Sequence, residues 1–437
     1  MSKSAKRELH IRVDHLTRVE GHGNIVVNVS NGKIEDCRWE VVEAPRFFEA
    51  MVRGRKWYEM HHITCRICGI CSIGHTLASL QATEAALGVE VSEQTVLLRK
   101  LALHAENLQS HILHVGYLVL PDLMGVGSVV PLAGSHPAEL KTVIRIHRLA
   151  NVFSDTICGR TTHPQRLVPG GFAKYPKVDE LKKLRHGLTE ALSDLKEVAR
   201  LVGSLANRFP AFSRETEYIA LKSDQEYAMY HGQIGSSDGG TWAPGQYEEV
   251  TNEFCVPHST AKYTKHNRDS YMVGALARFN LNADKLTPEA RAVAKLFKLK
   301  PVCYNSFMNN VAQIVECVHS AEDSINIIDR VLDRGLALED IPPIKVRPGR
   351  GVSAVEVPRG ILFHDYQYDD SGTCIGANLI IPTNQNHNNI YHDLQALLPS
   401  LLGKPEKEIE LGLEMLVRAY DPCISCSAHY LKVKFKK

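Results

Sequence analysis

The chain has 437 residues, 44% of them hydrophobic, enough for one large core or two to three ordinary ones. Lys plus Arg total 51 against 49 for Asp plus Glu, and the net charge of +2 gives no reason to expect nucleic acid or another polyanion as partner. The N-terminal Met1-Ser2-Lys3-Ser4-Ala5-Lys6-Arg7-Glu8 lacks the apolar run of a signal peptide, and no stretch approaches the ~18 uncharged apolar residues of a membrane span, so a cytoplasmic protein with reduced cysteines is expected.

Residues 11–43 alternate apolar and polar positions on both sides of Asn31-Gly32, a dipeptide suited to the positive φ angles of a tight hairpin. From 72 to about 118 the spacing becomes helical, with Leu77, Leu80, Ala85 and Leu87 in one segment and Leu97, Leu101, Leu108, Ile112 and Val115 in the next. Further helices are predicted at about 136–158, 177–207, 288–298 and 320–335, with Pro/Gly-rich breaks such as Val168-Pro169-Gly170-Gly171-Phe172 between. Residues 210–285, rich in Tyr, Ser and Gly, form a candidate peripheral lobe. Gly360 to Gln367 and Cys374 to Ile381 read as strands joined through Asp369-Asp370-Ser371-Gly372, and a last helix is predicted at about 405–418. No repeat or long hydrophilic linker divides the chain. The expected fold is α-rich α+β, a single domain over 1–437: a long-helix bundle core with small antiparallel hairpins near the N-terminus and before the C-terminal helix.

Two Cys-x-x-Cys pairs lie near opposite ends, each followed by a histidine: Arg66-Ile67-Cys68-Gly69-Ile70-Cys71-Ser72-Ile73-Gly74-His75 and Asp421-Pro422-Cys423-Ile424-Ser425-Cys426-Ser427-Ala428-His429. Each pair already places its sulfurs close together, so a single long-range closure would complete a cage of four soft donors for a transition metal. Taken alone, one such pair reads equally as structural zinc, a redox dithiol or two buried thiols. Zinc tetrathiolates usually staple local knuckles in small domains, whereas most of a large core separates these pairs, which favours a catalytic metal. Cys65 extends the first pair toward an iron–sulfur spacing, but no matching fourth cysteine is nearby.

Both segments resemble the signatures of the nickel-iron hydrogenase large subunit, Arg-x-Cys-Gly-x-Cys-x-x-x-His and Asp-Pro-Cys-x-x-Cys-x-x-His. Shorter matches follow in the family's order: Arg18-Val19-Glu20-Gly21-His22, Arg46-Phe47-Phe48-Glu49, Val357-Pro358-Arg359-Gly360 and Pro382-Thr383-Asn384-Gln385-Asn386. They span nearly the whole chain. The resemblance implies the hydrogenase large-subunit fold and the cytoplasmic, cofactor-coupled bidirectional subgroup, with reversible heterolytic cleavage of H2 at a Ni-Fe centre. It implies that Cys68, Cys71, Cys423 and Cys426 bind nickel, and that Cys71 and Cys426 also bridge to an iron carrying carbon monoxide and cyanide.

In the same way His75 is expected to donate a hydrogen bond to the Cys71 sulfur. Cys423 is the expected first proton acceptor and Glu20 the group that passes the proton on. Arg359 is expected over the open side of the metals, with Pro358 and Thr383 lining the pocket and Asp122 and Asp421 holding the guanidinium. Without the resemblance, Glu20 would read as a strand-end surface carboxylate, His75 as a packed ring, Arg359 as a solvated loop charge and Asp122 as a cap.

Glu49, His429 and the Leu379 carbonyl match a second, magnesium-like site that iron or manganese would also fit. The basic tail after His429, residues 430–437, reads by itself as a solvated terminus or a membrane-touching patch, whereas the resemblance implies removal by a maturation endopeptidase. The chain carries neither a dinucleotide fingerprint nor a ferredoxin-type cysteine run, so electrons are expected to leave through another subunit, and the resemblance implies that this is a smaller iron-sulfur partner. Further flavin, NAD(P), ferredoxin or heterodisulfide-reductase-type subunits would complete the assembly. The alternatives are a non-catalytic zinc-stabilised or electron-transfer assembly subunit and the quinone-site subunit of respiratory complex I, which lacks the four nickel-binding cysteines.

Overall fold

The computed structural model describes residues 8–14 and 16–428. Strands β1 (Leu9–Val13), β2 (Gly23–Ser30) and β3 (Lys33–Val41) form an antiparallel sheet in that order. Asn31 and Gly32 turn the predicted hairpin with φ of 53° and 76°. Ile25, Val27, Val29 and Trp39 carry its buried face.

The body is a helix bundle of α1 (Ser72–Leu87), α2 (Glu93–Leu113), α3 (Pro137–Cys158), α4 (Val178–Ser204), α5 (Ala275–Asn282) and α6 (Asn309–Arg334). Helix α6 packs on α2 and α4, and α3 packs on the same two helices, closing a four-helix arrangement. Helix α4 shows why: Leu181, Leu184, Leu188, Ala191, Leu195 and Val198 are buried at three- and four-residue spacings while the intervening charges face water. Ser92 caps α2 by accepting from the Thr95 amide at 3.0 Å. Past Leu113 the helix runs into a π-helical segment, His114–Val119, and then a short turn, Leu120–Met124.

Residues 210–285 contain β4 (Glu217–Lys222), which pairs antiparallel with Gln233–Ser236 and parallel with Tyr271–Met272. A second antiparallel sheet follows, β5 (Gly349–Val357), β6 (Gly360–Tyr368) and β7 (Cys374–Ile380). Ile219, Leu221, Ile234 and Tyr271 share a buried cluster with Ala354, Ile361, Phe363 and Ile380, so the segment packs directly on that sheet. Helices α7 (Pro382–Leu401) and α8 (Glu406–Ala419) complete the chain order.

Three elements depart from the sequence expectation. Helix α6 begins at Asn309, eleven residues before the predicted start, because its first turns bury Asn309, Asn310, Gln313 and Glu316, which hide the apolar period. No strand is predicted where β5 runs, and Gly351 lets α1 approach it so closely that a Cβ there would lie 2.0 Å from the Ala82 carbonyl oxygen. Helix α7 opens with a run of buried Asn, Gln and His residues that no hydrophobic pattern announces.

The two chain ends meet. Glu20 and Cys423 form a parallel bridge in which the Ile424 amide donates to the Glu20 carbonyl at 2.9 Å and the Glu20 amide to the Pro422 carbonyl at 3.4 Å. Gly21, at φ 84°, permits this approach, since a Cβ there would stand 2.7 Å from the Ser425 amide nitrogen. Among the described residues no helix is long and apolar enough to cross a membrane.

Candidate metal centre

The first cysteine pair sits at the entrance to α1. Cys68 is extended, Cys71 occupies the N-cap, and the Cys71 amide donates to the Cys68 sulfur at 2.9 Å. Behind them the Glu106 carboxylate, from α2, accepts from the Ile73 amide at 2.6 Å and the Gly74 amide at 3.1 Å. A buried side chain thus satisfies amides that a helix start would otherwise leave orphaned. Burial nevertheless pushes the Glu106 carboxyl up to about 8, against the lowering effect of those two amides.

The second pair arrives on Asp421-Pro422 and the single turn Ile424–Ser427. Asp421 takes a left-handed φ of 51°, which aims the turn back into the core. The Cys68 and Cys423 sulfurs lie 3.6 Å apart and those of Cys423 and Cys426 2.6 Å apart, and all three fall within 4.8 Å of one another. Cys71 joins them through Cys68, and its sulfur accepts from Arg359 Nη1 at 3.3 Å. All four are at most 4% exposed. Hydrogen bonding within each pair, followed by burial, raises the thiols of Cys71 and Cys423, while burial is the main cause for Cys426. Those three thiols therefore hold their protons more tightly than a free cysteine does, and a binding metal displaces them. Four buried sulfurs suit nickel or another soft metal and are poor donors for a hard cation.

Around the sulfurs, Glu20 Oε2 stands 3.1 Å from the Cys423 sulfur and accepts the Ser425 amide at 3.1 Å. Ser425 Oγ donates to Glu43 at 3.0 Å, and Glu43 meets the exposed His22 ring at 3.3 Å. Thr383 Oγ1 accepts the Cys423 amide at 3.0 Å. Arg359 donates to Asp421 through Nη2 at 2.7 Å and through Nε to its carbonyl at 2.6 Å, with Ser110 Oγ at 3.2 Å from Nη1. The other Asp421 oxygen accepts from Gln313 at 3.0 Å, and Gln313 in turn meets His114 Nδ1 at 2.6 Å. His75 Nδ1 faces His364 Nε2 at 3.2 Å, and His364 Nδ1 faces the Tyr366 hydroxyl at 2.7 Å.

Asp122 requires a correction. It does not hold Arg359. Its carboxylate accepts from Arg18 at 2.6 Å and from Arg418 at 2.8 and 3.1 Å, tying the segment that leads to Glu20 to the end of α8. Arg18 and Arg418 take both Asp122 oxygens, and Ser110 faces Arg359 instead.

At the expected second cation site, buried Glu49 accepts the Leu379 amide at 2.9 Å. His429 and residues 430–437 lie outside the described residues.

Sequence reading missed Glu106, Ser110 and His114. Their four-residue spacing, along α2 for Glu106 and Ser110 and onto the first residue of the π-helical segment for His114, sets all three on one polar stripe facing the site, and that spacing was the available signal. Gln313 and Glu43 carried no signal of their own, since neither sits in a motif.

The family model described as nickel-dependent hydrogenase matches residues 46–143 and 218–429, and one described as HoxL-like matches residues 10–44. The sulfhydrogenase 2 subunit alpha of Pyrococcus furiosus is 34% identical over 424 residues, covering 97% of this chain and 100% of the relative. The NAD-reducing hydrogenase HoxS subunit beta of Cupriavidus necator is 27% identical, with 96% and 94% covered. Among solved structures, an NAD+-reducing NiFe hydrogenase in the H2-reduced state superposes with a TM-score of 0.87 at 27% identity, covering 96% of this chain and 99% of the other. The Ni-Fe-Se hydrogenase of D. vulgaris Hildenborough shares the fold at a TM-score of 0.77 and 22% identity, with 97% and 100% covered. With buried cysteine sulfurs from both ends of such a fold gathered in one place, the chain belongs to the nickel-dependent hydrogenase family, as a catalytic subunit.

Proposed function

We propose that this subunit cleaves H2 reversibly into protons and electrons, with the proton leaving through Cys423 and Glu20. The observation that carries the route is the 3.1 Å contact between the Cys423 sulfur and Glu20 Oε2. Cys68, Cys71, Cys423 and Cys426 would hold the nickel, Cys71 and Cys426 would be shared with an iron, and carbon monoxide and cyanide would complete the iron. When bound, that centre supplies the Lewis acidity that polarises dihydrogen.

The chain's own groups do the rest. The Cys423 thiolate takes the proton, being a base already within hydrogen-bond reach of its acceptor. Glu20, held by the Ser425 amide, receives it, and Ser425, Glu43 and His22 lead outward to solvent. Arg359, fully buried and paired with Asp421, sets a fixed positive charge beside the Cys71 sulfur and closes the pocket against water with Pro358 and Thr383. His75, carried on α1 directly after Cys71, would orient that sulfur.

Glu49, the Leu379 carbonyl and His429 would hold a magnesium or iron ion, and a maturation endopeptidase would remove residues 430–437. Electrons would pass to an iron-sulfur small subunit and onward to a flavin, NAD(P), ferredoxin or heterodisulfide-reductase-type partner. The relatives named as alpha and beta subunits support a multi-subunit assembly.

Glu20→Gln tests the route. Nickel and iron contents are expected to stay at wild-type levels while H2 oxidation and hydrogen–deuterium exchange fall by ~100-fold or more. Unchanged exchange in the metal-replete variant would refute it.

A further inference from the structure

Arg359 reaches the sulfurs from the turn between β5 and β6, Val357-Pro358-Arg359-Gly360, and its pairing with Asp421 secures only the guanidinium end. The backbone of that turn is gripped by something else. Arg278, on α5 and 0% exposed, uses all five of its N–H donors. Nε and Nη2 each donate to Glu316 at 2.7 Å, and Nη1 donates to Glu356 at 2.8 Å. The remaining two reach the carbonyls of Val357 at 2.8 Å and Pro358 at 2.9 Å, the two residues that precede Arg359.

The other side of the turn rests on Gly274. Its φ is 117°, and a Cβ there would stand 3.2 Å from the Arg359 carbonyl oxygen. Gly360 comes closer still, its virtual Cβ 2.9 Å from the Gly274 amide nitrogen. Gly274 and Arg278 are one helical turn apart and joined by the Arg278 amide donating to the Gly274 carbonyl at 2.9 Å. Asn386 pins the preceding Val273 amide at 2.9 Å, and Asn309 takes the Leu276 amide at 2.9 Å.

From this geometry we infer that Gly274 and Arg278 are positioning residues for Arg359, a clamp that sets where the guanidinium stands over the Cys71 sulfur. The requirement is for a planar fork. A guanidinium spans two carboxylates and two successive carbonyls at once, whereas a lysine ammonium keeps the charge but offers three donors from one point and releases at least one carbonyl. Without that grip the turn slides along the sheet edge, and a displacement near 1 Å at the reacting centre costs on the order of 100-fold in rate.

The inference rests on Arg359 acting at the site as described above, and a double-mutant cycle on the holoenzyme separates the two. In Arg278→Lys, nickel content and KM for H2 are expected to hold while kcat per nickel falls ~10–100-fold. Adding Arg278→Lys to Arg359→Lys is expected to lower kcat less than twofold further, because a clamp has nothing left to position. A crystal structure of Arg278→Lys is expected to show Arg359 Nη1 farther from the Cys71 sulfur than the 3.3 Å seen here. Gly274→Ala, which leaves every charge in place, is expected to act in the same direction and carries the comparison if Arg278→Lys fails to accumulate.

Wild-type kcat in both clamp variants, losses that multiply with that of Arg359→Lys, or an unmoved guanidinium would each overturn the clamp. Wild-type kcat in Arg359→Lys would instead overturn the role given to Arg359, and the crystal distance would then judge the clamp by itself.

Discussion

Glu106→Gln should remove a pH dependence that the fold builds in beside the first cysteine pair. Burial raises the Glu106 carboxyl from 4.5 to about 8, so the folded chain holds this proton over a range in which the unfolded chain has released it. Between those values unfolding releases a proton. The stabilisation is complete below about pH 4.5 and is lost progressively as pH rises toward 8. A shift of that size is worth on the order of 4–5 kcal/mol. Roughly 3–4 kcal/mol of this is lost between pH 5 and 8, and for 437 residues the entropy of unfolding is roughly 0.9 kcal/mol/K, so the group lowers Tm by about 4 °C over that range.

Glutamine has nearly the same shape and carries no titrating proton, so the variant should lose that part of the slope. Glu356, raised by burial to about 7, contributes with the same sign in both proteins and cancels in the comparison. Calorimetric Tm values of the full-length chain and the variant, taken across pH 5 to 8, make the measurement. Parallel curves would refute the reasoning.

Asp122→Asn breaks a buried carboxylate away from two arginines, so a loss of about 3–5 kcal/mol and a Tm lower by ~3–5 °C are expected, with kcat per nickel within twofold of wild type. A fall in kcat without a fall in Tm would return Asp122 to the Arg359 network. Gly351→Ala forces a methyl to within 2.0 Å of the Ala82 carbonyl oxygen, and a cost of at least ~1–3 kcal/mol, read as a lower denaturation midpoint, is expected. An unchanged midpoint would mean that α1 and β5 can separate freely.

Much of the scaffold was legible because it rests on local rules. The Asn31-Gly32 hairpin needs only two positive φ angles, and α3 and α4 need only an apolar stripe, with Gly159 stopping α3. Helix α7 shows where such rules end. Asn386 serves the Val273 backbone, His387 lies between Trp39 at 3.0 Å and Ser427 at 2.8 Å, and Asn389 donates to the Tyr420 hydroxyl at 2.7 Å. These polar side chains are buried because distant segments supply their partners, and no window of sequence contains both halves of such a pair.

The same division runs through the metal centre. The donor atoms can be read from the order of residues alone: four cysteines in two pairs, a glutamate and an arginine in short motifs, and a resemblance that orders them. Which carboxylate meets which guanidinium is set by the folded chain. Asp421 holds Arg359 while Asp122 holds Arg18 and Arg418, and Arg278, absent from every motif, grips the turn that carries Arg359. The physical reason is range. A cysteine pair is preassembled by its own three-residue spacing, whereas ion pairs and carbonyl grips act over about 3 Å between segments that are brought together only once the core has closed.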